Sequence, residues 1–286
     1  MPTNLTSDRS SLIDRYCQYE EGRAPPAQFV DDGSLDAWRV AYSRKMILPF
    51  LRTVRGSSWL TVGDGYYGSD ANFLSKHGVQ ATASSLSAKV LRVAQQRGWI
   101  NKWSAENAES LSFADCAFDF VLCMEALQHC EFPEAALSET MRVSNQGIAI
   151  MGCIRREGRI LDRIREFMRR RLLGRQNIGV ESYQPTGGPI SRFYSEQVCE
   201  NAKRAGFSVC AIKQFNMLPL GQFWNRRAAW LSPYFLLLKA GFFVSDLVCR
   251  LGLMTPSFAW FLVLRRPPSS AQLSVLTKSG FSLRTL

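Results

Sequence analysis

The sequence predicts an α/β fold: a doubly wound, mainly parallel sheet with helices on both faces. Three observations carry that expectation. Between residues 59 and 153, short apolar runs alternate with amphipathic stretches at the pitch of strand–helix units. Two of the runs, residues 118–123 (FDFVLC) and 148–152 (IAIMG), are apolar almost throughout, as strands buried on both faces are. In residues 59–74 (WLTVGDGYYGSDANFL) an apolar run meets Gly63, Gly65 and Gly68 and passes into helix-like sequence. Glycine there permits a tight turn, allows close approach of a ligand and leaves the next helix N-terminus open.

Taken in order, residues 1–54 read as a helical lead-in, with a short helix near 11–18. A second helix over 36–48 has Trp38, Ala41, Tyr42 and Met46 on one side and Pro49 as its stop. Strand 59–63 and helix 69–77 flank the glycine loop. Strand 79–83 alternates Val79, Ala81 and Ala83, and helix 87–96 carries Val90, Leu91 and Ala94. A short strand falls near 102–104, and Pro133 opens a helix over 134–143. Beyond residue 153 the pattern changes. Residues 155–173 read as a basic amphipathic helix striped by Leu161, Ile164, Met168 and Leu172. A helix over 195–206, a strand over 208–215 and a final strand over 257–265 follow. Helical cap insertions are expected at 155–190 and 217–256, and a loosely ordered, flexible tail at 267–286.

With 286 residues and 46% hydrophobic content, the chain suits one large α/β domain or a domain with an insertion. Its eight cysteines show no zinc-type spacing and read as free thiols of a reducing cytoplasm, and two histidines exclude a histidine-rich metal site. No apolar leader opens the sequence, so a cytoplasmic or membrane-peripheral location is expected. The net charge is +11, concentrated in nine arginines between Arg155 and Arg175. That run suits an anionic membrane surface or anionic substrate, or is simply a solvated helix face. No aromatic RNA-binding motif interleaves with it, so nucleic acid ranks lower.

Past the glycine loop, an "AEsLsF" segment (residues 108–113), "FDfVlc" and "E…RVs..G" (residues 139–147) complete a series. Together these resemble the type 11 group of class I S-adenosylmethionine-dependent methyltransferases over roughly residues 55–153. The resemblance implies a Rossmann-like sheet of seven strands, the last antiparallel, in a domain spanning 55–266. It implies S-adenosylmethionine as cofactor. Gly63, Asp64, Gly65, Tyr67 and Gly68 would pass under its methionine and ribose parts. Ser84 and Ser85 would meet the ribose hydroxyls, and Asn107 and Ala108 the adenine edge. Met124 and Glu125 would line the pocket near the sulfonium. His129 would lie where the acceptor enters, either taking a proton from a hydroxyl nucleophile or merely shaping the pocket.

The chain departs from the pattern at three places. Thr61 stands where an acid is usual, Tyr67 where glycine is frequent, and Ser84, Ser85 and Ser87 where the second strand normally ends in Asp or Glu. A carboxylate accepts from both ribose hydroxyls; losing it costs about 1–3 kcal/mol if nothing replaces it. Asp64 is a candidate replacement, and Ser85→Asp is expected to tighten cofactor binding. The expected activity is methyl transfer to a small or lipid-linked hydroxyl or carbon nucleophile. The alternative is a non-catalytic scaffold with weakened cofactor binding. The literal Gly-x-Gly-x-x-Gly spacing also fits a dinucleotide enzyme, with Lys89 and Arg92 near a 2′-phosphate, but no Tyr-x-x-x-Lys pair accompanies it.

Overall fold

Strand side chains alternate in direction, so each central strand feeds two cores. In Ser58–Val62 (β1), Trp59 enters one core while Leu60 and Val62 enter the other. In Phe118–Met124 (β4), Phe120 and Leu122 join Trp59, and Val121 and Cys123 join Leu60. The computed structural model describes residues 5–23, 25, 35–154, 160–161, 163–164, 167, 195–215 and 233–286.

The remaining strands are β2 (Gln80–Ser85), β3 (Lys102–Ala105), β5 (Ser144–Cys153), β6 (Val209–Phe215), β7 (Phe258–Leu264) and β8 (Ser282–Thr285). The helices are α1 (Leu5–Gly22), α2 (Leu35–Leu51), α3 (Ser69–Lys76), α4 (Ala88–Gln96), α5 (Pro133–Arg142), α6 (Ser195–Arg204), α7 (Pro233–Arg250) and α8 (Ser270–Lys278). The sheet order is β3-β2-β1-β4-β5-β7-β6-β8. Pairing is parallel from β3 through β5, while β7 runs antiparallel to β5 and β6, and β8 antiparallel to β6.

The first core packs α2, α3 and α4 on one face, the second α5 and α6 on the other. Trp260 of β7 is buried, and its indole N–H donates to the Ser43 carbonyl of α2 at 3.0 Å. That bond satisfies the one polar atom of a large apolar side chain.

Three expectations need correction. The sheet has eight strands rather than seven, because residues 282–285 pair with β6. The segment read as a flexible tail is therefore a capped helix and an edge strand. Leu276 and Phe281 bury into the first core, and Ser269 and Gln272 form a reciprocal cap at the start of α8. Pro49 does not stop α2, which runs on to Leu51. The proline costs one helical hydrogen bond. Phe50 and Leu51 are both buried, and each burial contributes about 2 kcal/mol.

The insertions are described only in part. Within 155–190 the described residues include Ile160, Ile164 and Phe167, all exposed; the rest of the arginine run except Arg163, and its loop, lie outside the described residues. Residues 217–232, with Trp224 and Trp230, also lie outside them. Residues 233–250 form α7. Its Phe235 and Phe242 pack edge-on against Trp38 of α2 at 5.8 and 4.8 Å between ring centroids.

Candidate active site

The strand order reverses between β1 and β4, and crevices in open α/β sheets form beyond the carboxyl ends of strands at such a point. A cavity of about 370 Å³ lies there, under α1 and α2. Its floor is the loop between β1 and α3. Gly63 has φ +74°, and a Cβ on it would lie 2.3 Å from the Ala126 Cβ, so only glycine fits. Gly65 borders the cavity directly.

Of the predicted site residues, the structure brings Gly63, Asp64, Gly65, Ser85, Asn107, Ala108, Met124, Glu125 and His129 to the cavity wall. Three others are turned away from it. Tyr67 is buried among core side chains, and its hydroxyl donates to the Arg23 carbonyl at 2.9 Å. Tyr66, its neighbour, is the tyrosine that faces the cavity, with the Arg23 guanidinium 3.9 Å over its ring. Gly68 is the left-handed N-cap of α3, where an added Cβ would meet Ile100 at 2.7 Å; its role is helix packing. Ser84 is buried and donates to the Thr61 carbonyl at 2.7 Å, tying β2 to β1.

Asp64 does not replace the missing ribose acid. Its oxygens accept from the Asp70 N–H at 3.1 Å, the Ala71 N–H at 2.9 Å and the Thr61 hydroxyl at 2.9 Å. The carboxylate thus holds the N-terminus of α3 and meets the threonine that stands in place of the usual acid. Burial, then the nearby Asp70 charge, push its carboxyl up to about 7 despite those bonds. Asp70 is held by buried Arg44, whose guanidinium also donates to Ser69 at 2.8 Å.

Each serine at the end of β2 has a partner. Ser87 caps α4, accepting from the Val90 N–H. Ser85 donates to Glu20 of α1, at 3.0 Å to Oε1 and 2.8 Å to Oε2. Glu20 also covers the loop: a Cβ on Gly65 would lie 1.9 Å from its Oε1. Burial pushes the Glu20 carboxyl up, against the Ser85 and Ser87 hydrogen bonds and the Arg23 charge. Glu106, also on the wall, is spent on Ser104 and Ser112; burial raises its carboxyl, and those hydrogen bonds outweigh it, leaving it below the ordinary range.

Glu125 follows β4 with φ +55°, a strained value for a side-chain-bearing residue, and its carboxylate pairs with Arg39 of α2 at 2.7 Å. His129 ends the 3-10 turn Leu127–His129. Gln128 Oε1 accepts from the Cys153 N–H at 3.0 Å, which turns its amide nitrogen toward His129 Nε2 at 3.3 Å. An amide nitrogen only donates, so Nε2 accepts and the neutral ring carries its proton on Nδ1.

Glu20, Arg23, Arg39 and Arg44 escaped the sequence reading. They stand in, or directly after, helices ahead of the glycine loop, and no motif spacing links them to it. The only available signal was charge on α1 and α2 inside otherwise apolar faces.

Residues 60–151 match the type 11 family model described as a methyltransferase domain. No curated protein matches the chain in sequence. Among solved structures, the chain is similar to the [4+2]-cyclase SpnF at 20% identity, covering 81% of this chain and 83% of that one, with a TM-score of 0.48. It is similar to YcgJ from Bacillus subtilis at 17% identity, with coverages of 77% and 98% and a TM-score of 0.49. It is likewise similar to magnesium protoporphyrin IX methyltransferase from Synechocystis at 15%, with coverages of 90% and 95% and a TM-score of 0.48.

Proposed function

We propose that this chain, whose residues 60–151 match the type 11 methyltransferase-domain model, uses S-adenosylmethionine to methylate a small or lipid-linked acceptor through a hydroxyl or carbon nucleophile. The observation that carries this is the cavity wall opposite the glycine loop. Tyr16, Tyr19 and Arg23 of the α1 end and Arg39 of α2 roof the cavity, combining aromatic and cationic surface. That pairing suits an apolar acceptor bearing an anionic group.

The residues present fit the cofactor. Gly63 and Gly65 open backbone surface, Ser85 and Asn107 offer polar atoms beside it, and Met124 gives an apolar wall. When bound, S-adenosylmethionine supplies an electrophilic methyl group on sulfur. The protein's part is alignment and exclusion of water under α1 and α2. His129 is the group to receive the acceptor's proton. It does so at Nε2 only once Gln128 swings off, because that lone pair is engaged. Glu125, tied to Arg39, orients the wall through charge.

A second reading concerns how the acceptor arrives. Leu236, Leu237, Phe243, Val244 and Leu247 are exposed at helical spacing on α7, on the side away from Phe235 and Phe242, and Leu251 is exposed in the turn that follows. Among the described residues no helix is long and apolar enough to cross a membrane. This face, with the Arg155–Arg175 run, suits attachment to an anionic membrane surface carrying a lipid-linked acceptor.

The test is methyl transfer from tritiated S-adenosylmethionine into a fractionated cell extract. Label is expected in small-molecule or lipid fractions, with anionic vesicles co-sedimenting the protein more than neutral ones. Label confined to protein or RNA refutes the acceptor class.

A further inference from the structure

The end of α1 is bound to the end of β2 by a ladder of contacts. Glu20 meets Ser85, Glu21 accepts from Ser87 at 3.1 Å and from Lys89 at 2.9 Å, and the Arg23 carbonyl accepts from Tyr67. These bonds lay the Glu20 carboxylate in the gap between Gly65 and Ser85, on the cavity wall.

A carboxylate offers about four acceptor sites. Among the described residues, Glu20 accepts from the single Ser85 hydroxyl hydrogen and the Ser87 N–H. Two acceptor sites stay available in a half-buried group whose carboxyl burial has already pushed up. Other acids of the wall are engaged elsewhere: Asp64 on the start of α3, Asp70 on Arg44, Glu106 on Ser104 and Ser112, Glu109 on the Glu131 and Phe132 N–H groups, Glu125 on Arg39. A desolvated carboxylate with acceptor capacity left, beside a glycine surface, calls for a ligand that donates two neighbouring hydroxyl hydrogens.

We propose that Glu20 is the residue that accepts from the ribose hydroxyls of the cofactor, so that α1 supplies the carboxylate β2 lacks. This rests on the cofactor assignment above. Helix α1 is then a part of the binding site as well as its roof. The arrangement also reverses the expectation for Ser85→Asp. An Asp at 85 would set a second carboxylate against Glu20, and like charges at hydrogen-bonding distance repel.

Calorimetric titration of the full chain with S-adenosylhomocysteine, and with its 2′,3′-dideoxy analogue, tests this. The wild type should bind S-adenosylhomocysteine. Glu20→Ala and Glu20→Gln should each weaken that binding by about ten- to a hundredfold, the effect of losing a charged acceptor. The dideoxy analogue should lose as much on the wild type and nothing further on Glu20→Ala. Ser85→Asp should weaken binding alone yet restore it in the Glu20→Ala background, a rescue that a misfolded variant does not show. Unchanged or tighter binding by Glu20→Ala overturns the inference, the tighter case making Glu20 a plug over the loop. A wild type that binds no S-adenosylhomocysteine instead overturns the cofactor assignment, and the inference with it.

Discussion

Asp64→Asn isolates the cost of burying a carboxylate under the cofactor loop. The wild-type carboxyl sits at about 7 rather than 3.8 because burial and then Asp70 disfavour its charge. The folded chain therefore keeps a proton that the unfolded chain gives up as pH rises through the ordinary carboxylate range. Stability falls wherever the folded state binds more protons, so it declines from about pH 4 to about pH 7 and is flat above. At roughly 1.4 kcal/mol per pH unit, the full decline is on the order of 4 kcal/mol. Asparagine removes the titration but keeps one acceptor oxygen where Asp64 has two; with its carbonyl toward Ala71 and Thr61 it loses the bond from the Asp70 N–H, at a fixed cost of about 1–2 kcal/mol. Urea denaturation at a series of pH values from about 5 to 8 reads both effects. Carboxylates held below their ordinary range, among them Glu106, Asp119 and Glu139, contribute only at lower pH. The histidines are common to both proteins and cancel in the difference. The variant should be about as stable as wild type near pH 5 and more stable by roughly 2–3 kcal/mol near pH 8. Parallel profiles would mean that Arg44 neutralises both carboxylates, and the reasoning would be wrong.

Gly63→Ala should impair the loop in two ways. A non-glycine residue at φ +74° costs about 1–2 kcal/mol, and the new Cβ would stand 2.3 Å from Ala126. Relief moves the segment that carries Glu125, so affinity for S-adenosylhomocysteine should drop about tenfold or more; an unaltered titration curve would remove the loop from the site. Deleting residues 267–286 should destabilise the protein by about 4 kcal/mol, since Leu276 and Phe281 leave the core. It also bares the edge of β6, so concentration-dependent association by light scattering should accompany the loss. A truncated chain as stable and monomeric as the intact one would make that segment an ornament.

How much was legible follows from where the information resides. Period and punctuation are local, and residues 59–153 carry them unbroken: apolar strands, glycine turns and amphipathic helices fall within a residue or two of their observed ends, except that β5 begins at Ser144, four residues before its apolar run. Ser84, Ser85 and Ser87 were legible as a departure, since the acid that should stand there is missing from the string itself. What answers that departure was not legible. Glu20 lies 65 residues upstream of Ser85, and only docking of α1 across β2 and α4 brings them together. Asp64 was read as a ligand group because it sits in the loop. Its direction depends on the α3 N–H groups, which exist only once the helix forms. Tyr66 and Tyr67 are identical letters in adjacent positions, and the turn at φ +58° on Tyr67 decides which faces the cavity. The last twenty residues look polar and short of periodicity, yet Leu276 and Phe281 find a core that β6, β7 and α2 assemble. The sequence by itself determined the sheet, the glycine loop and the class of cofactor, because each is written in neighbouring residues. Which carboxylate faces the ligand, which tyrosine, and which tail joins the sheet were decided by contacts across the fold, where burial and hydrogen-bond geometry choose among groups that composition leaves equal.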